Sequence, residues 1–379
     1  MRSTATPRDL VCRTALLALL VFLTTYAIAV VYMQRLAASN GWVTGEWLIN
    51  YSNGFVRRGL IGEICRQLYY LGGFNPVSVV ATVKAFLYAI LCASFFVLAA
   101  RKTIGLIELA IIVSPSAFAF ELNDPLGSGR KELALLAVFT VFVVADNLRP
   151  STHRPFHKQW QFWYLLVTLP ILTLIHEGLF FFFPFLLAYA WLKHDRLENG
   201  ARVFGLPYAV AAAAFALSYV FRGGAGISGT MCASLTAMSL DQGLCHGAIG
   251  ALERYDVHIR SDDVARCVFL VLLSFGPLLW YAAKALTPSR RHLFLAGACV
   301  AAVATAPLYV VSEDWGRWIH ITAMLVMVTI LACKDSTVRL QARHPAFAVA
   351  CAAALSVYVV SWELPHWIHS AVPILKSVR

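Results

Sequence analysis

The sequence predicts an all-α, polytopic membrane protein, and three observations carry that expectation. Of its 379 residues 59% are hydrophobic and only 13% charged, against roughly 25% charged and 45–50% apolar in soluble domains. Mean hydropathy is +0.69. The apolar residues fall in long runs, and the Lys and Arg behind the net charge of +11 cluster in the short gaps between them. Cytoplasmic loops of membrane proteins have that distribution, so the charge argues for topology and against a nucleic-acid partner.

Apolar runs occupy residues 14–33, 77–100, 104–120, 133–147, 162–192, 203–221, 267–285, 293–311, 318–333 and 345–361. The first is too long for the core of a signal peptide and lacks a small-residue cleavage site, so it reads as a retained span. As one helix the run at 162–192 would reach about 46 Å, against a hydrocarbon core of about 30 Å. It carries IHEG at its midpoint with Pro170 and Pro184 on either side, and reads as a hairpin of two short helices. The hairpin also puts Lys193, Lys284, Arg290, Arg291 and Lys334 on the same side as Arg101, Lys102, Arg149 and Lys158, as the positive-inside rule asks. The expectation is a single integral membrane domain, 1–379, of about eleven spans with its N-terminus cytoplasmic. Its outer loops are 34–76, 121–132, 222–266 and 312–317.

That topology sends the polar motifs to one face. After EWLINYSNGFVRRG (46–59), Val56, Leu60, Ile64 and Leu68 recur every four residues with Arg58, Gly62, Glu63, Arg66 and Gln67 between them. This is the pattern of an amphipathic helix lying in the interface. Arg57 and Arg58 either snorkel to lipid headgroups or hold a phosphate, which the guanidinium fork fits. Two adjacent Arg on a helix point about 100° apart, and snorkelling needs only one of them. Asn50 is a further polar candidate in the same block. Glu46, between Gly45 and Trp47, gains nothing from an anionic surface and reads as a catalytic carboxylate or a cation ligand.

The second loop, ELNDPLGSGRKE (121–132), reads as a turn followed by a helix start. Gly127-Ser128-Gly129 offers backbone N–H groups to an anion, and Arg130 and Lys131 add charge beside Asp124; a plain capped helix is the alternative. His176 and Glu177 of IHEG fall at the floor of an outward cavity, where ionisable groups are costly and functional by default, unless they only close the turn. In SEDWGRWIH (312–320), Asp314, Arg317 and Trp318 suit a sugar held by stacking and bidentate hydrogen bonds. Asp314 and Arg317 also stand at pairing distance on a helix, and Trp315 and Trp318 fit an interfacial aromatic belt. No second His stands at zinc-ligand spacing, no cofactor motif appears, and a divalent cation stays open as cofactor. Cys232 and Cys245, alone among the cysteines in falling in the long outer loop, are expected to form a disulfide.

The ordered set GEWLINYSNGFVRRGLIGE, DPLGSGRKE, IHEG and DWGRW resembles multi-span bacterial proteins of surface-polysaccharide gene clusters, similar to GT-C glycosyltransferases and to Wzy/EpsG-like polymerases. The resemblance implies a GT-C-like helical bundle in the bacterial inner (plasma) membrane, its active site facing the periplasm or exterior. It implies transfer of a sugar from a polyprenyl-phosphate-linked donor to a surface glycan or lipid-linked acceptor. GT-C enzymes carry an acidic catalytic residue in the first outer loop, and Glu46 fits that place, with Glu177 and His176 as further catalytic candidates. This chain has a lone Glu there where many such enzymes have one or two Asp, and no large periplasmic C-terminal domain. Wzy-like polymerases rely on outward-facing Arg, which Arg57, Arg58, Arg130 and Arg317 would supply. The alternatives are such a polymerase, acting on undecaprenyl-diphosphate-linked repeat units, and a transporter or flippase of a lipid-linked anion.

Overall fold

Proline, glycine and polar caps cut the apolar runs into short and long helices. The computed structural model describes residues 7–36, 40–149, 158–194, 197–253, 257–334 and 345–369. Residues 1–6, on which the placement of the N-terminus bears, and residues 37–39 and 254–256 of the expected outer loops lie outside these. Among the described residues there are fifteen α-helices. They are α1 (Pro7–Leu36), α2 (Leu60–Gly72), α3 (Pro76–Ala100), α4 (Leu106–Ile112), α5 (Phe120–Asn123), α6 (Glu132–Leu148), α7 (Trp160–Ile175), α8 (Pro184–His194), α9 (Leu197–Val220), α10 (Ile227–Ala237), α11 (Ser261–Ala285), α12 (Pro288–Thr305), α13 (Leu308–Val311), α14 (Trp315–Cys333) and α15 (Pro345–Val360). The local chemistry of the boundaries is plain. At the start of α3, Asn75 accepts from the Ser78 N–H and Pro76 takes the first turn; α2 stops at Gly73, whose φ is 66°.

Among the described residues five helical segments are long and apolar enough to cross a membrane: Pro76–Ala100, Val203–Val220, Ser261–Ala285, Pro288–Val311 and Trp315–Cys333. Thr14–Val30 and α7 are shorter apolar helices. The expected span at 104–120 is not one helix. Pro115 removes an N–H and biases Ser114 away from the helical region, so α4 stops at Ile112 and turns lead to α5.

α14 is buried along its whole length and packs against α3, α6, α8 and α11. It is the axis of the bundle. Around it the run 162–192 folds as a hairpin: α7 ends at Ile175, a 3₁₀ turn covers Glu177–Phe182, and α8 starts at Pro184. Both legs return to the C-terminal end of α6, where Asp146 accepts from Gln161 at 3.0 Å and from Tyr189 at 2.8 Å, and Lys193 donates to Asn147 at 2.7 Å. At that same end Lys102, Arg290 and Lys334 gather on the last carbonyls of α14 or beside them, the polarity a helix C-terminus favours. Lys334 also pairs with Glu108 at 2.5 Å.

α2 is amphipathic as expected, exposing Ile64, Leu68 and Leu71 and turning Gly62 and Cys65 inward. Gly62 is obligatory, because a Cβ there would sit 2.0 Å from the Ile49 carbonyl oxygen. The helix starts only at Leu60, however, so Val56, Arg57 and Arg58 lie in the turn before it.

Candidate functional site

At the end of the bundle opposite Asp146, five separate segments deliver charge to one place. Glu46 comes from the 3₁₀ turn Gly45–Leu48, Arg57 and Arg58 from the turn before α2, Arg130, Lys131 and Glu132 from the start of α6, His176 and Glu177 from the hairpin, and Asp314 and Arg317 from the start of α14. Arg130 donates to Glu46 Oε2 at 2.6 Å. Arg58 meets Glu177 through Nε, at 2.9 Å to Oε2, and a terminal nitrogen, at 2.7 Å to Oε1. Arg57 approaches the same carboxylate at 3.4 Å. Arg317 pairs with Glu132 and, at 2.8 Å, with Asp314. The two Arg therefore converge on Glu177; a turn, unlike a helix, does not splay them 100° apart.

Arg58 has φ 65°, unusual for a residue with a side chain. Two contacts hold it there: Glu177 on its guanidinium and the Lys131 ammonium, 2.6 Å from its carbonyl oxygen. His176 Nδ1 accepts from the Gly178 N–H at 3.0 Å, so the neutral ring carries its proton on Nε2. That nitrogen lies between Glu46, at 3.6 Å, and Glu132, at 3.9 Å.

Burial works to raise the Glu46 carboxyl, but Arg130 first, then Arg317 and Lys131, hold it well below the usual carboxylate range. A carboxylate so held is ionised and weakly basic. The network is also incompletely bonded. Glu46 Oε1, Glu132 Oε2, Arg57 Nε, Arg317 Nε and the Trp318 indole nitrogen are all buried without a hydrogen-bond partner. Buried polar atoms are rarely left so, and five of them in one cluster mark a place where a further polar group can bond.

Three candidates are used elsewhere. Asn50 shapes its own turn, donating to the Leu48 carbonyl and accepting from the Ser52 N–H. Asp124 anchors the C-terminal segment by accepting from the backbone N–H of His366 at 2.7 Å, and its other oxygen takes the Gly127 N–H. The N–H groups of Gly127 and Ser128 are thus both bonded to Asp124, which leaves no anion cradle in Gly127-Ser128-Gly129 of the expected kind. Trp318 is buried beneath Arg317, against His176 and Phe182, and Trp315 is buried as well, so neither belongs to an interfacial belt nor shows an open face. Among the described residues no group of three His, Cys, Asp or Glu is placed to hold a metal ion.

Sequence reasoning missed Glu132, Glu121 and Lys84. In the sequence Glu132 reads only as part of a helix start. Glu121 and Ser128 line two narrow clefts, one reaching Arg130, Glu132 and Arg317, the other Lys84 and Tyr88. Lys84 had a legible signal, a lone charge in an apolar run. Its ammonium donates to the Val43 carbonyl at 2.9 Å and so fixes the loop that carries Glu46.

No curated protein and no solved structure matches this chain. A family match does, over residues 16–258, taking in the segments of Glu46, Arg57, Arg58, Arg130, His176 and Glu177 and ending before Arg317. The chain belongs to the membrane-protein family described as "Uncharacterised membrane protein Rv1490".

Proposed function

We propose that this protein is a membrane glycosyltransferase, a GT-C-like bundle of about eleven spans at the outer face of a bacterial inner membrane. It takes a sugar from a polyprenyl-phosphate-linked donor and passes it to a glycan or lipid-linked acceptor. The observation that carries the reading is the set of buried, unbonded guanidinium Nε atoms on Arg57 and Arg317, beside carboxylates that also keep free oxygens. Guanidinium donors suit phosphate, and carboxylates suit hydroxyl protons. Arg57 and Arg58, with side chains 26% exposed, form the open side of the cluster.

In the transfer the acceptor oxygen bonds to the anomeric carbon while the bond from that carbon to the phosphate oxygen breaks. The phosphate leaves with the electron pair, and the hydroxyl proton passes to Glu46. An arriving phosphate competes for Arg130, and loss of that partner raises the basicity of Glu46 when it is needed. Glu177 and Glu132 are the next candidates for base.

The test is purified protein in nanodiscs, with donor binding and sugar transfer measured side by side. Arg57→Lys and Arg58→Lys keep the charge and lose the fork. At least one should insert normally and lose most turnover; two fully active variants would end the phosphate reading. Binding without turnover in the wild type would favour a carrier, and turnover only with diphosphate-linked repeat units a polymerase.

A further inference from the structure

The segment that carries Glu46 is backed by the long loop that follows α9. In α10 the buried Ile227, Met231 and Leu235 stand four residues apart and share one apolar core with Trp47, Leu48, Ile49 and Val56. After Ser239, whose φ is 57°, the chain folds back, and the 3₁₀ turn Gln242–Cys245 buries Leu244 in the same core. Backbone there meets backbone. A Cβ on Gly45 would run into the Leu244 carbonyl oxygen and one on Gly41 into the His246 carbonyl oxygen, and the Ala248 N–H donates to the Gly41 carbonyl at 3.3 Å. Glu46 therefore follows directly on a residue that Leu244 braces.

The folded-back half, residues 240–248, has little regular structure of its own. A 3₁₀ turn of four residues is a weak element, so its hold on α10 comes from elsewhere. The Leu240 N–H donates to the Leu235 carbonyl at 3.1 Å, and the covalent tie is the disulfide from Cys245 to Cys232 of α10. Both cysteines are half-buried, so a small reductant can reach them. Arg57 has a separate brace: its N–H donates at 3.2 Å to the carbonyl of Phe221, which follows directly on α9. The bonds of Arg58 to Glu177 and Lys131 lie outside the loop altogether.

We propose that the Cys232–Cys245 disulfide is the positioning bond of Glu46 and makes the site sensitive to redox state. Closed, it keeps Leu244 against Gly45 and the Glu46 carboxylate on Arg130. A dithiol opens it: two electrons and two protons pass to the protein, Cys232 and Cys245 become thiols, and the dithiol is oxidised to its own disulfide. The half that carries Leu244 then lifts, Glu46 loses its backing, and turnover falls while the guanidiniums of Arg57 and Arg58 still bind phosphate. The inference rests on the functional reading above only in taking Glu46 as the base.

The test uses wild-type protein in nanodiscs, oxidised and after dithiothreitol. Three quantities are read: hydrogen exchange, binding of undecaprenyl phosphate, and sugar transfer from an undecaprenyl-phosphate-linked hexose. Reduction should speed exchange of residues 40–50 by about tenfold and leave α14 as protected as before. It should lower kcat by about tenfold or more, since misplacing a reacting group by about 1 Å can cost about 10²-fold, and leave undecaprenyl phosphate binding unchanged. Reoxidation should restore the rate. Gly45→Ala, with the disulfide intact, should lower kcat in the same way, whereas Gly229→Ala, whose Cβ meets nothing within 4 Å, should not. If Gly45→Ala does not fold, the reduced wild type carries the test alone. Unchanged exchange at residues 40–50 on reduction would overturn the inference whether or not transfer is detected. Binding and turnover falling together would make the bond a general stabiliser and overturn it too. Faster exchange there in a protein that transfers no sugar even when oxidised would uphold the bond's hold on the Glu46 segment and sink the functional reading instead.

Discussion

Arg58 shows what the cluster asks of its residues. A left-handed backbone under a long side chain costs about 1–3 kcal/mol and persists only where its surroundings over-determine it, as Lys131 and Glu177 do here. Glu46 and Arg130 are bound to each other in the same way, with the carboxylate fully buried. Glu46→Gln leaves Arg130 facing a neutral amide, and a broken buried pair costs about 3–5 kcal/mol. Glu46→Gln combined with Arg130→Met should recover most of that loss, because the uncompensated charge is then gone. Urea unfolding of the two single variants and the double in mixed micelles checks this, and strictly additive losses would show that the two side chains are not coupled. The same measurement guards the catalytic reading, since a rate lost by Glu46→Gln counts only in folded protein.

At the scale of elements, the long loop carries its own restraint. A disulfide joins Cys232 of α10 to Cys245, 13 residues on, with the Cα atoms 5.6 Å apart. Closing a loop of that length stabilises by up to about 3 kcal/mol in the chain-entropy model. Thiol labelling of unfolded, unreduced protein should leave both cysteines unmodified, and Cys232→Ser with Cys245→Ser should lower the midpoint of unfolding. Much at this scale was legible: the long apolar runs, the hairpin at IHEG and the amphipathic α2 all follow from periodicity and length. The break at Pro115 was written in the sequence too, but a window of about 19 residues averages over one proline. What periodicity cannot carry is which helix ends meet. Arg130 finds Glu46 84 residues away and Arg58 finds Glu177 119 residues away, and nothing local to either partner encodes the distance. Glu132 was overlooked for that reason, since beside Arg130 and Lys131 it looks like an ordinary helix start.

For the whole molecule the two ends are chemically distinct. One gathers the five-segment cluster; the other gathers Lys102, Lys193, Arg290 and Lys334 on helix ends. The positive-inside rule then predicts reporter fusions near residues 198 and 288 on the cytoplasmic side and near 50, 240 and 314 on the opposite one. A cytoplasmic signal at 240 together with an external one at 198 would reverse the orientation and place the cluster inside.

The ion pair between Arg317 and Glu132 spans 185 residues, which sets an order in time. At about 5–20 residues per second of synthesis, α6 waits roughly 10–40 s before α14 emerges to meet it. Through that interval Glu132 stands at the head of an apolar helix without its guanidinium partner, while α7 to α13 are laid down around an axis not yet made. The half-built bundle must tolerate an unmatched carboxylate at one end, and the arrival of α14 both neutralises that charge and fills the space along the axis. Completion of the core and completion of the site are one event.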